Sequence, residues 1–245
     1  MNDFEIAVIV FGCSFGSALV GMVIKLRDYH RDQDSKDVVK LVMGLIATIA
    51  ALVLSLLIAS ASGSYNLQRS EMQSYAANVI LLDWLLVSYG PEAEEARGRL
   101  REHTAAVHDR VWSPNGVQHM DPDRATRFID QLQNLSPKTD AQRSMHSYVV
   151  QLGVSLVQTR LLIFEQLGAA ISWPILVVLV GWICVLFLGF GLFTRFNVIV
   201  TVALVLGALS VSGAIFLILE LSAPYSGLLR ISDASLLHAL AKIGR

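Results

Sequence analysis

Metal binding or proton transfer in this chain would fall to its six histidines and twenty carboxylates. His103, His108, His119 and His146 share one stretch with Asp109 and Asp121. His103 and His108 are five residues apart, which on a helix puts them on different faces, unlike metal ligands at i and i+4. The four read as solvent-exposed histidines, with no metal site and no cofactor. Catalysis has no better footing. The sequence shows no H-E-x-x-H pair, no phosphate-cradling glycine loop and no two acids together in an apolar segment. The expectation is a protein that is not an enzyme.

The most distinctive pattern is a stripe of small and hydroxylated residues. Gly44, Thr48, Ala51, Ser55, Ala59, Ser62 and Asn66 follow one another in steps of three and four, so on a helix they form one narrow face. Leu45, Ile46, Ile49, Leu52, Val53, Leu56, Leu57 and Ile58 cover the rest. Such a stripe has two physical uses. Small side chains let helix backbones approach closely in lipid, or a ring of such helices presents Thr48, Ser55 and Ser62 to water as a pore wall. No charged ring runs along it to select ion sign. A second group lies at the C-terminal turn, where Glu220, Pro224, Tyr225, Gly227 and Arg230 fall together and the acid and base are candidates to pair.

The elements that carry these residues are legible from charge. Ile6–Ile24, Leu41–Gln68, Gln166–Thr194 and Phe196–Leu219 contain no Asp, Glu, Lys or Arg. A helical span needs about 20 mainly apolar residues, so four spans are predicted. Mean hydropathy is +0.55, and 54% of residues are hydrophobic against 16% charged. That is too apolar for an ordinary soluble domain. The net charge of −1 gives no reason to expect nucleic acid. Cys13 and Cys184 fall inside predicted spans and read as packing residues. Asn2, Asp3 and Glu5 precede the first span, unlike the basic start of a removable signal, so it is expected to stay as an anchor. It carries Gly12-x-x-x-Gly16 and Ser17-x-x-x-Gly21, pairs suited to close packing.

No proline interrupts Val38–Gly90, and Leu67, Met72, Tyr75, Ala76, Val79, Leu82, Leu86 and Tyr89 keep a helical period. One helix of about 50 residues is predicted, roughly 75 Å long. Gly90-Pro91 ends it, and helices follow at about Pro91–Trp112, Pro122–Leu135 and Thr139–Ile171, with turn clusters at Ser113–Gly116 and Ser136-Pro137. Trp173 and Pro174 open the third span, and Thr194–Asn197 turns it into the fourth. Ser232 or Asp233 is placed to cap a last short helix with Leu236, Leu237, Leu240 and Ile243 on one face. The fold class is therefore all-α: four transmembrane helices in two pairs, with a helical extramembrane bundle inserted between spans two and three. The division runs 1–60 for the first pair, 61–171 for the insert, 172–221 for the second pair and 222–245 for an interfacial tail.

Lys25, Arg27, Arg31, Lys36 and Lys40 follow the first span and Arg195 lies between spans three and four. The positive-inside tendency puts those loops in the cytoplasm and the insert outside, on the periplasmic side of a bacterial cytoplasmic membrane.

Nearly the whole chain resembles a bacterial family of four-span, bestrophin-like proteins of unknown function. The likeness rests on Asp34–Leu41, Gly44–Thr48 to Ile58–Ala61, Ala76–Asp83, Tyr89–Ala93, Ser172–Pro174 and Phe216–Leu221 through Pro224, Gly227, Ile231 and Ser232. In that last motif an acidic residue usually follows Leu221 and an aromatic the proline; Ser222 and Tyr225 stand there, so the acidic position is lost and the aromatic one kept. Bestrophins proper are pentameric anion channels lined by their second span. The resemblance thus implies a pore role for Gly44–Ser62, and an intracellular insert where the charge rule gives an outer one. The leading expectation is a homo-oligomer in the lipid bilayer whose second span lines a narrow, ion-conducting passage. The alternative is a non-transporting scaffold or sensor whose helical insert binds a protein partner.

Overall fold

The structure is a computed structural model that describes residues 2–27, 33–112, 122–166, 173–194 and 196–243. The described residues form eight α-helices and no strand: α1 (Asp3–Arg27), α2 (Gln33–Tyr89), α3 (Glu94–Trp112), α4 (Pro122–Gln133), α5 (Asp140–Gln166), α6 (Trp173–Phe193), α7 (Val198–Ser222) and α8 (Ala234–Lys242). The turn cluster at Ser113–Gly116 lies outside them, as does His119. Two compact units result, one from Met1–Tyr65 with Ala170–Ala223, the other from Asn66–Ala169 with Pro224–Arg245.

The first unit is built on α1, the N-terminal part of α2, α6 and α7. Its core joins Ile6, Val10, Ala18 and Met22 to Leu179, Ile183, Leu186, Phe187, Ala208 and Ile215. The closest approach is between α1 and α6. A Cβ added at Gly21 would overlap the Leu188 carbonyl oxygen, and one at Gly191 would overlap that of Ala18. Backbones meet because neither position has a side chain to hold them apart. Of the small pairs expected to pack α1, only the second contributes: Gly12 and Gly16 face open space within this chain, and Gly21 makes the contact. Ser212 Oγ of α7 donates to the Ala7 carbonyl at 2.6 Å, a bond that links two apolar helices through their interior. Asn197 caps α7, its side chain accepting from the Ile199 N–H at 3.3 Å.

The second unit buries the periodic face predicted along α2. Met72, Tyr75, Ala76, Val79, Leu82, Leu86 and Tyr89 are all enclosed, while Leu67 is exposed. Gly90 ends the helix at φ +116°, a left-handed conformation that side chains disfavour, and Pro91 starts a 3₁₀ turn over Pro91–Ala93. On α5, Gly153 lets Leu132 of α4 press against the helix backbone. Asp83 and Arg97 form an enclosed ion pair at 2.9 Å. Gln142 donates to the Tyr89 carbonyl at 2.6 Å, and Lys138 pairs with Glu92 at 2.5 Å.

The tail belongs to this second unit. Trp112 Nε1 donates to the Ile231 carbonyl at 3.0 Å, and the Trp112 and Tyr225 rings meet edge to face at 5.7 Å. Gly227, at φ +77°, completes the turn that brings the Ile231 N–H to the Pro224 carbonyl at 2.6 Å. In α8 the buried face is Leu236, Ala239 and then Ile243, whereas Leu237 is exposed. Asp233 holds the N-cap position without a side-chain cap bond, and the Ser232 hydroxyl before it accepts from the Ala234 N–H at 3.2 Å.

Five helices are long and apolar enough to cross a membrane: Asp3–Ile24, Asp37–Tyr89, Asp140–Gln166, Trp173–Phe193 and Val198–Ser222. The sequence windows predict four. The additional one is α5, whose mean hydropathy of 1.3 is far below the 2.2 to 2.8 of the others. Its apolar residues largely face the core of the second unit, so length and composition alone do not separate it from a span.

Candidate functional site

The small-residue stripe of α2 can be placed against the face that α2 buries. Met43, Ala50 and Ala61 are enclosed, with Ile46, Ala47, Val53, Leu54 and Leu57 partly so, and Met43 lies where a Cβ on Gly189 of α6 would be. At 100° per residue the stripe is centred roughly 140° round the helix from that face. Gly44, Thr48, Ala51, Ser55, Ala59 and Asn66 are exposed and Ser62 is half-buried. No Cβ at Gly44 would meet any neighbour within 4 Å. Thr48 turns its hydroxyl back on its own helix, donating to the Leu45 carbonyl at 2.8 Å. Leu41, Leu45, Leu52 and Leu56 occupy an adjoining, bulky face that is also exposed. The helix thus has three surfaces: one packed, one bulky and apolar, one small and hydroxylated.

The C-terminal turn residues are divided between the units. Glu220 is buried at the end of α7 in the first, while Pro224, Tyr225, Gly227 and Arg230 belong to the second. Pro224 and Tyr225 are buried, Gly227 and Arg230 exposed. Burial first, and then the nearby Glu71 carboxylate, hold the Tyr225 phenol above its ordinary range, so Tyr225 is a neutral group that packs its ring on Trp112.

The histidines are less exposed than their sequence context suggests. His103 is buried, stacks on Phe128 at 5.5 Å and contacts Arg160. His108 is half-buried and lies 3.6 Å from Asp233 at the start of α8. His146, also half-buried, meets the Leu132 carbonyl at 3.1 Å. Each sits where α3 or α5 turns inward, a burial that spacing along a polar segment does not reveal. Among the described residues no three His, Cys, Asp or Glu side chains come together as a metal site. Gly12-Cys13-Ser14-Phe15-Gly16 has the spacing of a nucleophile elbow, but it lies mid-helix in α1 with Ser14 fully buried. It lacks the strand-to-helix turn that exposes such a serine. Cys13 and Cys184 are free thiols, Cys13 on the outer surface rather than in the packing.

Arg97 was not singled out by spacing, yet it anchors the second unit. Its hydrogen bond to Asp83 raises the guanidinium above its ordinary value, and Asp83 falls within the Ala76–Asp83 run. Glu92 is held below its ordinary carboxylate value first by the hydrogen bond from Lys138.

No curated protein and no solved structure matches the chain. The Bestrophin-like domain, by contrast, matches residues 10–236, which spans both units and all the site residues above. With nearly its whole length matched, the chain belongs to the bestrophin-like family.

Proposed function

We propose that this protein is an oligomeric integral membrane protein whose α2 stripe faces the symmetry axis and lines a narrow, ion-conducting passage. The carrying observation is that this stripe, alone among the faces of α2, is neither packed by its own chain nor bulky enough to match acyl chains. Two features support the reading: membership of a family whose namesakes are ion channels, and a wide exposed apolar surface on the first unit, as a lipid-facing exterior requires.

In this reading the crossings are α1, the N-terminal part of α2, α6 and α7. Helix α5 is not a crossing, because it carries Arg160 at an enclosed position together with Asp140, Arg143 and Glu165. Charged side chains at membrane depth cost several kcal/mol. The second unit lies on the outer side of a bacterial cytoplasmic membrane, as the basic residues after α1 favour. No catalytic role enters the reading.

The test is ion flux into liposomes, with wild type compared with Ser55→Leu. Wild-type flux that falls sharply in Ser55→Leu is the expected result. No flux with either protein overturns the pore and leaves a scaffold or sensor whose insert binds a partner.

A further inference from the structure

The second unit carries an open cavity of about 600 Å³ that a pore along α2 leaves unused. Three helices wall it: α3 gives Arg99, Glu102, His103 and Ala106, α4 gives Arg127 and Phe128, and α5 gives Arg160. Among the described residues this lining is rich in arginine. Arg160 Nη1 hydrogen-bonds the His103 ring, and because a guanidinium only donates, the nitrogen that receives it carries no proton. Among the described lining residues three guanidiniums face one carboxylate, and Glu95 reaches Arg99 from the same helix at 3.7 Å.

Arg160 is the residue a purely structural cavity does not require. It occupies the inward face of α5, in line with Leu156, Val157 and Ile163, and is only 8% exposed. A leucine or methionine would fill that volume without the desolvation cost of a buried guanidinium. Its direction is fixed on two sides, by His103 and by the Phe164 ring 5.2 Å from Cζ. His103 is itself stacked on Phe128 with the rings inclined by 26°. A guanidinium has five donors, enough to keep its protein partners and still engage a ligand.

We propose that this cavity binds a phosphomonoester dianion carried on a compact organic group. The arginine-rich lining suits an anion. Arginines from three separate helices suit the oxygens of a phosphoryl group, which guanidinium forks recognise in paired hydrogen bonds. The volume falls within the range of small-molecule sites and is more than phosphate alone needs, so the carrier lies against Phe128 and Ala106. Such a group exists both on soluble metabolites and on the headgroup of phosphatidic acid. The site is independent of whether α2 conducts.

The experiment titrates the purified full-length protein, at constant ionic strength, with glycerol 3-phosphate, and separately with phosphatidylcholine vesicles with or without phosphatidic acid. Calorimetry and the thermal midpoint are read in parallel, with chloride as the control anion. Saturable binding of glycerol 3-phosphate, absent with chloride, is the result expected for a soluble ligand. Binding confined to the phosphatidic acid vesicles supports the same site with the lipid as its source. Arg99→Gln and Arg127→Gln alter exposed side chains and leave the fold intact, and each weakens binding roughly tenfold. Arg160→Gln abolishes it; if that variant does not fold, the two exposed substitutions decide. The proposal is overturned if no phosphomonoester binds saturably up to tens of millimolar, or if Arg99→Gln and Arg127→Gln both bind as tightly as wild type.

Discussion

The two units solve the problem of holding helices together in opposite ways. The first unit is apolar inside and out: Leu41, Leu52, Val198 and Ile199 are each more than 70% exposed, while Ile183, Leu186 and Ile215 fill the interior. When the surroundings are as apolar as the core, burial gives little drive, and association depends on close backbone approach and occasional hydrogen bonds. Gly21, Ala18, Gly191 and the Ser212–Ala7 bond are those devices. The second unit has amphipathic helices, a buried periodic face and charged exteriors, the pattern that the hydrophobic effect in water assembles. Its specificity comes from enclosed polar pairs such as Asp83–Arg97. A helix such as α2, which contributes to both, changes its packing grammar along its length, from a small stripe with bulky flanks to a regular apolar face.

The comparison can be broken most severely at the α1–α6 crossing. Gly191→Leu drives a side chain into the Ala18 carbonyl, and the expected cost is about 3 kcal/mol or more. It should appear as loss of the monodisperse peak in detergent chromatography, whereas Gly12→Leu, which meets open space within the chain, leaves the monomer's fold intact.

In the second unit the matching test is Asp83→Ala, which removes the nearest carboxylate from the half-buried Arg97 and leaves it Glu94 at 3.3 Å. The expected loss is about 2 kcal/mol, read as a lower midpoint in denaturant, with much of it recovered in Asp83→Leu/Arg97→Met. A single-residue effect equal to that of the double change would contradict the ion-pair account. A smaller effect separates the units again: Ser212→Ala should cost about 0.6 kcal/mol, as membrane-buried side-chain hydrogen bonds do, measured by thermal unfolding in detergent.

The mildest prediction concerns pH. The folded-state value of Glu92 is depressed below its ordinary 4.5, so its contribution is fully present above that pH and fades as pH falls through the lower folded value. Glu92→Gln should flatten this part of the acid-stability curve slightly, and salt should reduce the difference.

Much of this architecture is visible in composition because lipid imposes it. Charge-free windows locate α1, α2, α6 and α7, and proline and glycine locate the breaks at Gly90, Pro122 and Pro174. The stripe was legible for the same reason, since its residues follow one another at helical spacing. Features made by three-dimensional convergence were not. Arg99, Arg127 and Arg160 are scattered over some sixty positions, and nothing in their spacing announces a common cavity. The burial of His103 depends on Phe128 from another helix, and Gly21 outranks Gly12 only because Leu188 stands opposite it. The apolar character of α5 reads equally as a span or as a core helix, and only its enclosed arginine argues for the latter.

The central claim is that the α2 stripe meets copies of itself around an axis. Its most direct test is disulfide formation at Ser55→Cys in native membranes, in a background with Cys13→Ser and Cys184→Ser, since Cys13 is an exposed thiol. The account predicts covalent dimers under mild oxidation at Ser55→Cys, and none at Leu45→Cys on the lipid-facing side. Monomers alone at Ser55→Cys, or equal dimer yields at both positions, would contradict it.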